Sequence, residues 1–227
     1  APTSTYHIGQ LGADLADVVE ALHVEGPVTL VGHSMGAMSI LAYLGLPAAP
    51  RTTLELTELV LVATAAGGLS THGLGRLLAT PATALLAELG DRVPEPAVRM
   101  LARPLCAALA LPVSHRRAQR AALAAVCADA LARTPARTAV GFLPALRDFD
   151  HTDTLRTVCA HTTVISGGAD FLTPAACARE LVAGITGATH IHLPNVGHMI
   201  PQEAPHVVSA AITRALTATA DPAMVSA

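Results

Sequence analysis

The apolar positions of this chain repeat with a helical period in some stretches and run unbroken in others. Leu11, Leu15, Val18, Val19 and Leu22 recur at helical spacing, with Asp14, Asp17 and Glu20 on the other face. That pattern predicts an amphipathic helix ending near Gly26-Pro27. Val28 to Val31 is a short, β-branched apolar run between Pro27 and Gly32, and it reads as a buried strand. Ala37 to Leu44 reads as a helix closed by Gly45 and Pro47. Leu56 to Ala63 predicts a second buried strand, Thr162 to Ser166 a third and Thr189 to Leu193 a fourth. Helices are expected from about Pro174 to Ala183 and from Pro205 to Leu216.

From Gly67 to about Phe149 no strand pattern appears. Alanine-, leucine- and arginine-rich helical stretches are broken there by Pro81, Pro94, Pro96, Pro104, Pro112, Pro135 and Pro144. Strands alternating with helices predict an α/β fold, a mostly parallel sheet flanked by helices. The expected organisation is a core formed by residues 1–66 and 150–227, with residues 67–149 as a helical cap. The cap would cover the carboxyl end of the sheet, where open α/β sheets place their sites.

Composition narrows the function. Of 227 residues, 52% are apolar and 14% charged, which excludes a disordered binding tail. Aromatics make up 2% and the net charge is −3, so neither a base-stacking platform nor a basic footprint for nucleic acid or anionic membrane is present. Cys106, Cys127, Cys159 and Cys177 form no C-x-x-C pair and read as buried free thiols, which favours a cytoplasmic location. No run reaches the length of a membrane span. The first residues, APTSTYHIGQ, lack the basic-then-apolar pattern of a signal peptide. No cofactor or metal site is expected.

Three segments carry candidate chemistry. Gly32-His33-Ser34-Met35-Gly36 places a serine in G-x-S-x-G between a strand and a helix. In that context the serine sits on a sharp turn that exposes its hydroxyl above the sheet, and Gly32 and Gly36 are expected to relieve clashes. The Met35 N–H, opening the helix, would face a developing oxyanion. In ISGGADFLTP, Asp170 follows a strand's carboxyl end, where a carboxylate can hold an imidazole's tautomer; a turn or capping aspartate is the simpler alternative. In LPNVGHMIPQEAP, His198 lies on a loop past the fourth strand, although it is one of 11 histidines. His190 and His192 belong to the strand and read as structural, and His33 as a packing and hydrogen-bonding neighbour pointing away from the pocket. Asp148, Asp150 and Asp153 cluster on the entry side of the third strand. The order Ser…Asp…His, each on a loop past a strand, is what makes the combination specific.

LVGHSMGA, ISGGADFLTP and LPNVGHMIPQEAP resemble the nucleophile, acid and histidine segments of the α/β-hydrolase fold family, in its branch of capped esterases, lactonases and carbon–carbon bond hydrolases. The resemblance runs from about Gln10 to about Leu216 and is weakest in the cap. It implies Ser34, Asp170 and His198 as the catalytic triad and the Met35 N–H as one oxyanion donor. It also implies hydrolysis of an ester, thioester or related acyl bond in a small, largely apolar substrate. Acyl transfer and carbon–carbon cleavage would use the same triad.

The chain departs from the family in one respect. Only about 30 residues precede Ser34, and none forms a strand followed by the His-Gly loop that supplies the family's second oxyanion donor. His7-Ile8-Gly9 has no apolar run before it. Loss of one such donor costs about 100- to 1000-fold in rate. The chain is therefore expected to be a fragment or truncated product, poorly active alone or a non-catalytic scaffold. An unpaired apolar strand edge would then drive self-association.

Overall fold

A computed structural model describes residues 5–47, 54–81 and 133–220, with isolated positions between 94 and 130. The elements begin with helix α1 (Ile8–Ala21), strand β1 (Pro27–His33), helix α2 (Met35–Leu44) and strand β2 (Glu55–Val62). Short 3-10 turns follow at Leu69–Thr71 and Gly73–Ala79, then helix α3 (Ala136–Arg147) and a 3-10 turn at Asp153–Thr157. Strand β3 (His161–Gly167), helix α4 (Ala175–Gly184), strand β4 (Thr189–Leu193), helix α5 (Ile200–Glu203) and helix α6 (Pro205–Ala220) complete the order. About half of the expected cap falls on residues outside those described.

The four strands form one parallel sheet in the order β1-β2-β3-β4. Chain order and spatial order coincide, so every crossover runs in one direction across the sheet. β2 explains why a strand can be apolar at consecutive positions. Leu59 and Leu61 enter the cluster formed with α1, α2 and α4, while Val60 and Val62 enter the cluster formed with α5 and α6. Both faces are covered, so all four side chains are buried. α2 is the central helix on the first face, with Ala37, Met38 and Ile40 to Leu44 buried. Gly45 follows it with right-handed backbone (φ −80°), so its closure does not use a left-handed glycine.

Two expectations need correction. Val28 to Val31 is not a buried strand: β1 lies at the sheet edge, its central residues are half-buried, and Val31 is 41% exposed. An apolar run specifies a strand, but burial depends on a neighbour beyond it, and among the described residues β1 pairs only with β2. The cysteines also divide. Cys177 is buried on α4 and burial pushes its thiol up to about 11, whereas Cys159 is exposed in the turn before β3. Both are free thiols; Cys106 and Cys127 lie outside the described residues. Among the described residues, no helix is long and apolar enough to cross a membrane, and no cluster of three metal-ligating side chains occurs.

Candidate active site

β1 delivers Ser34 to the carboxyl end of the sheet in a strained conformation, φ 53° and ψ −122°. Such backbone costs about 1–3 kcal/mol for a residue with a side chain and persists only where its surroundings hold it. Here the Ser34 N–H donates to the Val62 carbonyl at 2.9 Å, and the buried Thr64 hydroxyl donates to the Ser34 carbonyl at 3.0 Å. The amides of Ala37 and Met38 donate to that carbonyl at 3.0 and 3.2 Å. Gly32 lets strand and helix meet, because a Cβ there would lie 2.5 Å from the Ala37 Cα. Gly36 differs from expectation: a Cβ there would touch nothing within 4 Å. Met35 is the first residue of α2, so its N–H has no acceptor within the helix.

Asp170 and His198 arrive from β3 and β4. The loops that carry them pack backbone on backbone. A Cβ on Gly167 would lie 2.3 Å from the Val196 carbonyl oxygen, and one on Gly168 would lie 2.5 Å from that of Pro194. The Gly168 N–H donates to Leu193 at 2.8 Å and the Ala169 N–H to Val196 at 3.1 Å. Asp170 and His198 are both buried.

The three side chains form a continuous hydrogen-bonded line. His198 Nδ1 lies 2.9 Å from Asp170 Oδ2, and His198 Nε2 lies 2.9 Å from Ser34 Oγ. An ionised carboxylate only accepts, so Nδ1 carries the imidazole proton and Nε2 is left to accept from the serine hydroxyl. Burial pushes the Asp170 carboxyl up, but the hydrogen bond and charge of His198 and hydrogen bonds from Thr173 outweigh it and hold it below its ordinary value. Asp170 Oδ1 accepts from the Leu172 and Thr173 amides at 2.8 and 3.0 Å, and Oδ2 from the Thr173 hydroxyl at 2.6 Å.

The structure thus brings together Ser34, Asp170 and His198, and leaves the other candidates elsewhere. Asp148 pairs with Arg147 at 2.7 Å, and Asp150 accepts from the Thr152 amide and hydroxyl. His190 and His192, half-buried and exposed, flank the buried Ser166 hydroxyl at 2.8 and 3.0 Å, a second serine–histidine contact in which the serine itself is closed to solvent. His33 is the hydrogen-bonding neighbour expected of it. Its Nε2–H donates to the His198 carbonyl at 2.9 Å, and the two rings are 5.2 Å apart. Burial lowers its pKa, opposed by that hydrogen bond.

Thr173, Thr64 and Glu203 were not singled out from sequence. Thr173 had one available signal: a threonine three residues after an acid loop's aspartate can serve its carboxylate. Thr64 reaches Ser34 across 30 residues, a contact that local sequence does not encode, whereas Glu203 reaches Gly197 only 6 residues away.

The family profile described as "Alpha/beta hydrolase family" matches residues 1–211. No curated protein matches the chain in sequence. Solved structures do match. A hydrolase from Pseudomonas aeruginosa PA01 shares 24% identity at a TM-score of 0.68, covering 93% of this chain and 72% of that one. A thermophilic esterase from Thermogutta terrifontis shares 20% identity at a TM-score of 0.70, covering 94% of this chain and 73% of that one. The enol-lactonase from Burkholderia xenovorans LB400 shares 21% identity at a TM-score of 0.70, covering 93% and 73% respectively. With the parallel sheet, the serine turn and a profile match across nearly its whole length, the chain belongs to the α/β-hydrolase family.

Proposed function

We propose that this protein is a serine hydrolase that cleaves an ester, thioester or related acyl bond in a small substrate. The observation that carries this reading is the line Ser34–His198–Asp170, with both contacts at 2.9 Å and the acid–base pair buried. His198 Nε2 takes the Ser34 hydroxyl proton while Oγ forms its bond to the acyl carbon. Asp170 holds the proton on Nδ1 and stabilises the imidazolium. The Met35 N–H, at the start of α2, faces the developing oxyanion. Collapse of the tetrahedral intermediate returns the proton to the leaving group, and water releases the acyl group by the same steps in reverse. The names of the structural neighbours, an esterase and an enol-lactonase among them, are in keeping with this class. Residues 67–149 would form the cap above the site.

A fluorophosphonate probe tests the reading, because it reacts only with an activated serine. Wild type should label, and Ser34→Ala should not. Ser166, the other serine beside histidines, is too buried to react. Undiminished labelling of Ser34→Ala would sink the assignment. Turnover of a short p-nitrophenyl ester, lost in the same variant, separates hydrolysis from mere probe reactivity.

A further inference from the structure

Glu203 stands behind His198 and has no part in the chemistry above. It is the last residue of α5, in the segment that follows the histidine loop. Its Oε2 accepts a hydrogen bond from the Gly197 N–H at 3.1 Å. Its own N–H donates to the Met199 carbonyl at 2.9 Å. Gly197 and Met199 are the residues on either side of His198. Glu203 therefore holds the backbone on both flanks of the imidazole, Gly197 through its side chain and Met199 through its own N–H.

A helix cap would account for these hydrogen bonds but not for the choice of a carboxylate. Glu203 Oε1 is buried with no hydrogen-bond partner. A charged group in that position costs stability. The Glu203 carboxyl is raised above its ordinary value, chiefly by burial and also by the Asp170 carboxylate, against the amides of Gly197 and Met199 and the charge of His198. A glutamine would accept from the same N–H without repulsion from Asp170. What the carboxylate adds is negative charge near an imidazole that becomes positive when it accepts the Ser34 proton. The groups facing Glu203 are Asp170 and His198; those facing His198 are Ser34, Asp170, Thr173 and His33.

We propose that Glu203 is a positioning residue for the reaction: it fixes the backbone around His198 so that the ring spans Ser34 and Asp170, and its charge supports the imidazolium. The proposal rests on the reading of those three residues as the triad.

The test compares Glu203→Ala and Glu203→Gln with wild type, using fluorophosphonate labelling rate, p-nitrophenyl acetate turnover and the low-field proton signal of His198 Nδ1. Absence of that signal in Asp170→Asn identifies it. Glu203→Ala should lower kcat and labelling by about 100-fold, the scale of a misplaced reacting group, with KM nearly unchanged. Its Nδ1 signal should broaden. Glu203→Gln, which keeps the acceptor and loses the charge, should keep the signal and recover to within about tenfold of wild type. A folded Glu203→Ala with wild-type rate and signal would overturn the proposal, as would Ala and Gln variants that are equally slow. If Glu203→Ala fails to fold, Glu203→Gln decides: a reduced kcat supports the charge role and a wild-type kcat overturns it. A wild type that does not label, yet whose Nδ1 signal depends on Glu203, would sink Ser34 as nucleophile and leave the positioning role standing.

Discussion

Ser34 rides on β1, an edge strand with half-buried and exposed residues, whereas Asp170 and His198 leave β3 and β4 on loops locked together backbone to backbone. On the acid–base side, position comes from close packing: Gly167 and Gly168 leave no room for a side chain, and Thr173 saturates the carboxylate. On the nucleophile side it comes from a strained residue held by hydrogen bonds from β2 and Thr64. Among the described residues, none of these hydrogen bonds comes from the outer edge of β1. That edge presents Val31, with Val18 and Leu22 also exposed on α1 and Leu216 on α6. The opposite edge, β4, instead carries His190 and His192, which contact Ser166. Site geometry and edge protection are thus separate problems in this sheet, solved with different residues.

The largest expected effect breaks the acid–base half. Asp170→Asn should keep the fold and lower kcat by about 10,000-fold, the scale on which a triad tolerates a neutralised acid. Asp150→Asn, which keeps an acceptor oxygen for the Thr152 amide and hydroxyl, should retain nearly all activity. Ester turnover of the two variants reads the difference, and the reverse ranking would move the acid elsewhere.

Next comes the packing contrast between the halves. Gly167→Ala forces a methyl group against the Val196 and Gly197 carbonyls and should destabilise the fold by about 1–3 kcal/mol. Gly36→Ala meets open space and should change stability by less than about 0.5 kcal/mol. Urea denaturation of the pair measures both; equal losses would erase the distinction.

Acid sharpens the comparison further. The folded-state pKa of Asp170 is depressed, so the unfolded chain binds its proton first as pH falls. The resulting stabilisation is complete above the unfolded pKa, near pH 4 for an aspartate, and is lost as pH drops through the folded value. The stability gap between wild type and Asp170→Asn should therefore shrink between about pH 5 and pH 2. A gap that stays constant across that range would show that the partners of Asp170 do not favour its charged form.

The smallest effect on stability belongs to the β1 edge. Val31→Lys should change unfolding free energy by less than about 0.5 kcal/mol. It should nonetheless weaken concentration-dependent self-association, because a charge on an open edge opposes strand addition. Size-exclusion chromatography with light scattering over a concentration series tests this. A wild type that is monodisperse throughout would show that the edge is not sticky.

Much of this architecture could be read from residue order. Thr189 to Leu193 coincides with β4, and the other strands and helices lie within a few residues of the expected ones, because apolar periodicity and Pro/Gly boundaries are local signals. The meeting of Ser34, Asp170 and His198 was legible for another reason: each follows a strand, and parallel strands bring their carboxyl ends to one side. Contacts that depend on how loops pack were not legible. Glu203 beneath the histidine loop, Thr64 on the Ser34 carbonyl and the exposure of Val31 each require knowing what lies next to a segment in space. The environment of Cys159 is of the same kind.

The pairing register carries a consequence for how the molecule assembles. β1 meets β2, and β3 meets β4, across short stretches of chain, whereas β2 meets β3 across roughly four times that separation. Each doubling of a closed loop adds about 0.6 kcal/mol of entropy cost, so the central pairing carries roughly 1 kcal/mol more than the outer ones. Folding should therefore proceed through two independently formed βαβ halves that dock late. The acid and base reside together in one half, and the serine in the other. Probe reactivity would then be the last property to appear on refolding, after the secondary structure and after the aspartate–histidine pair.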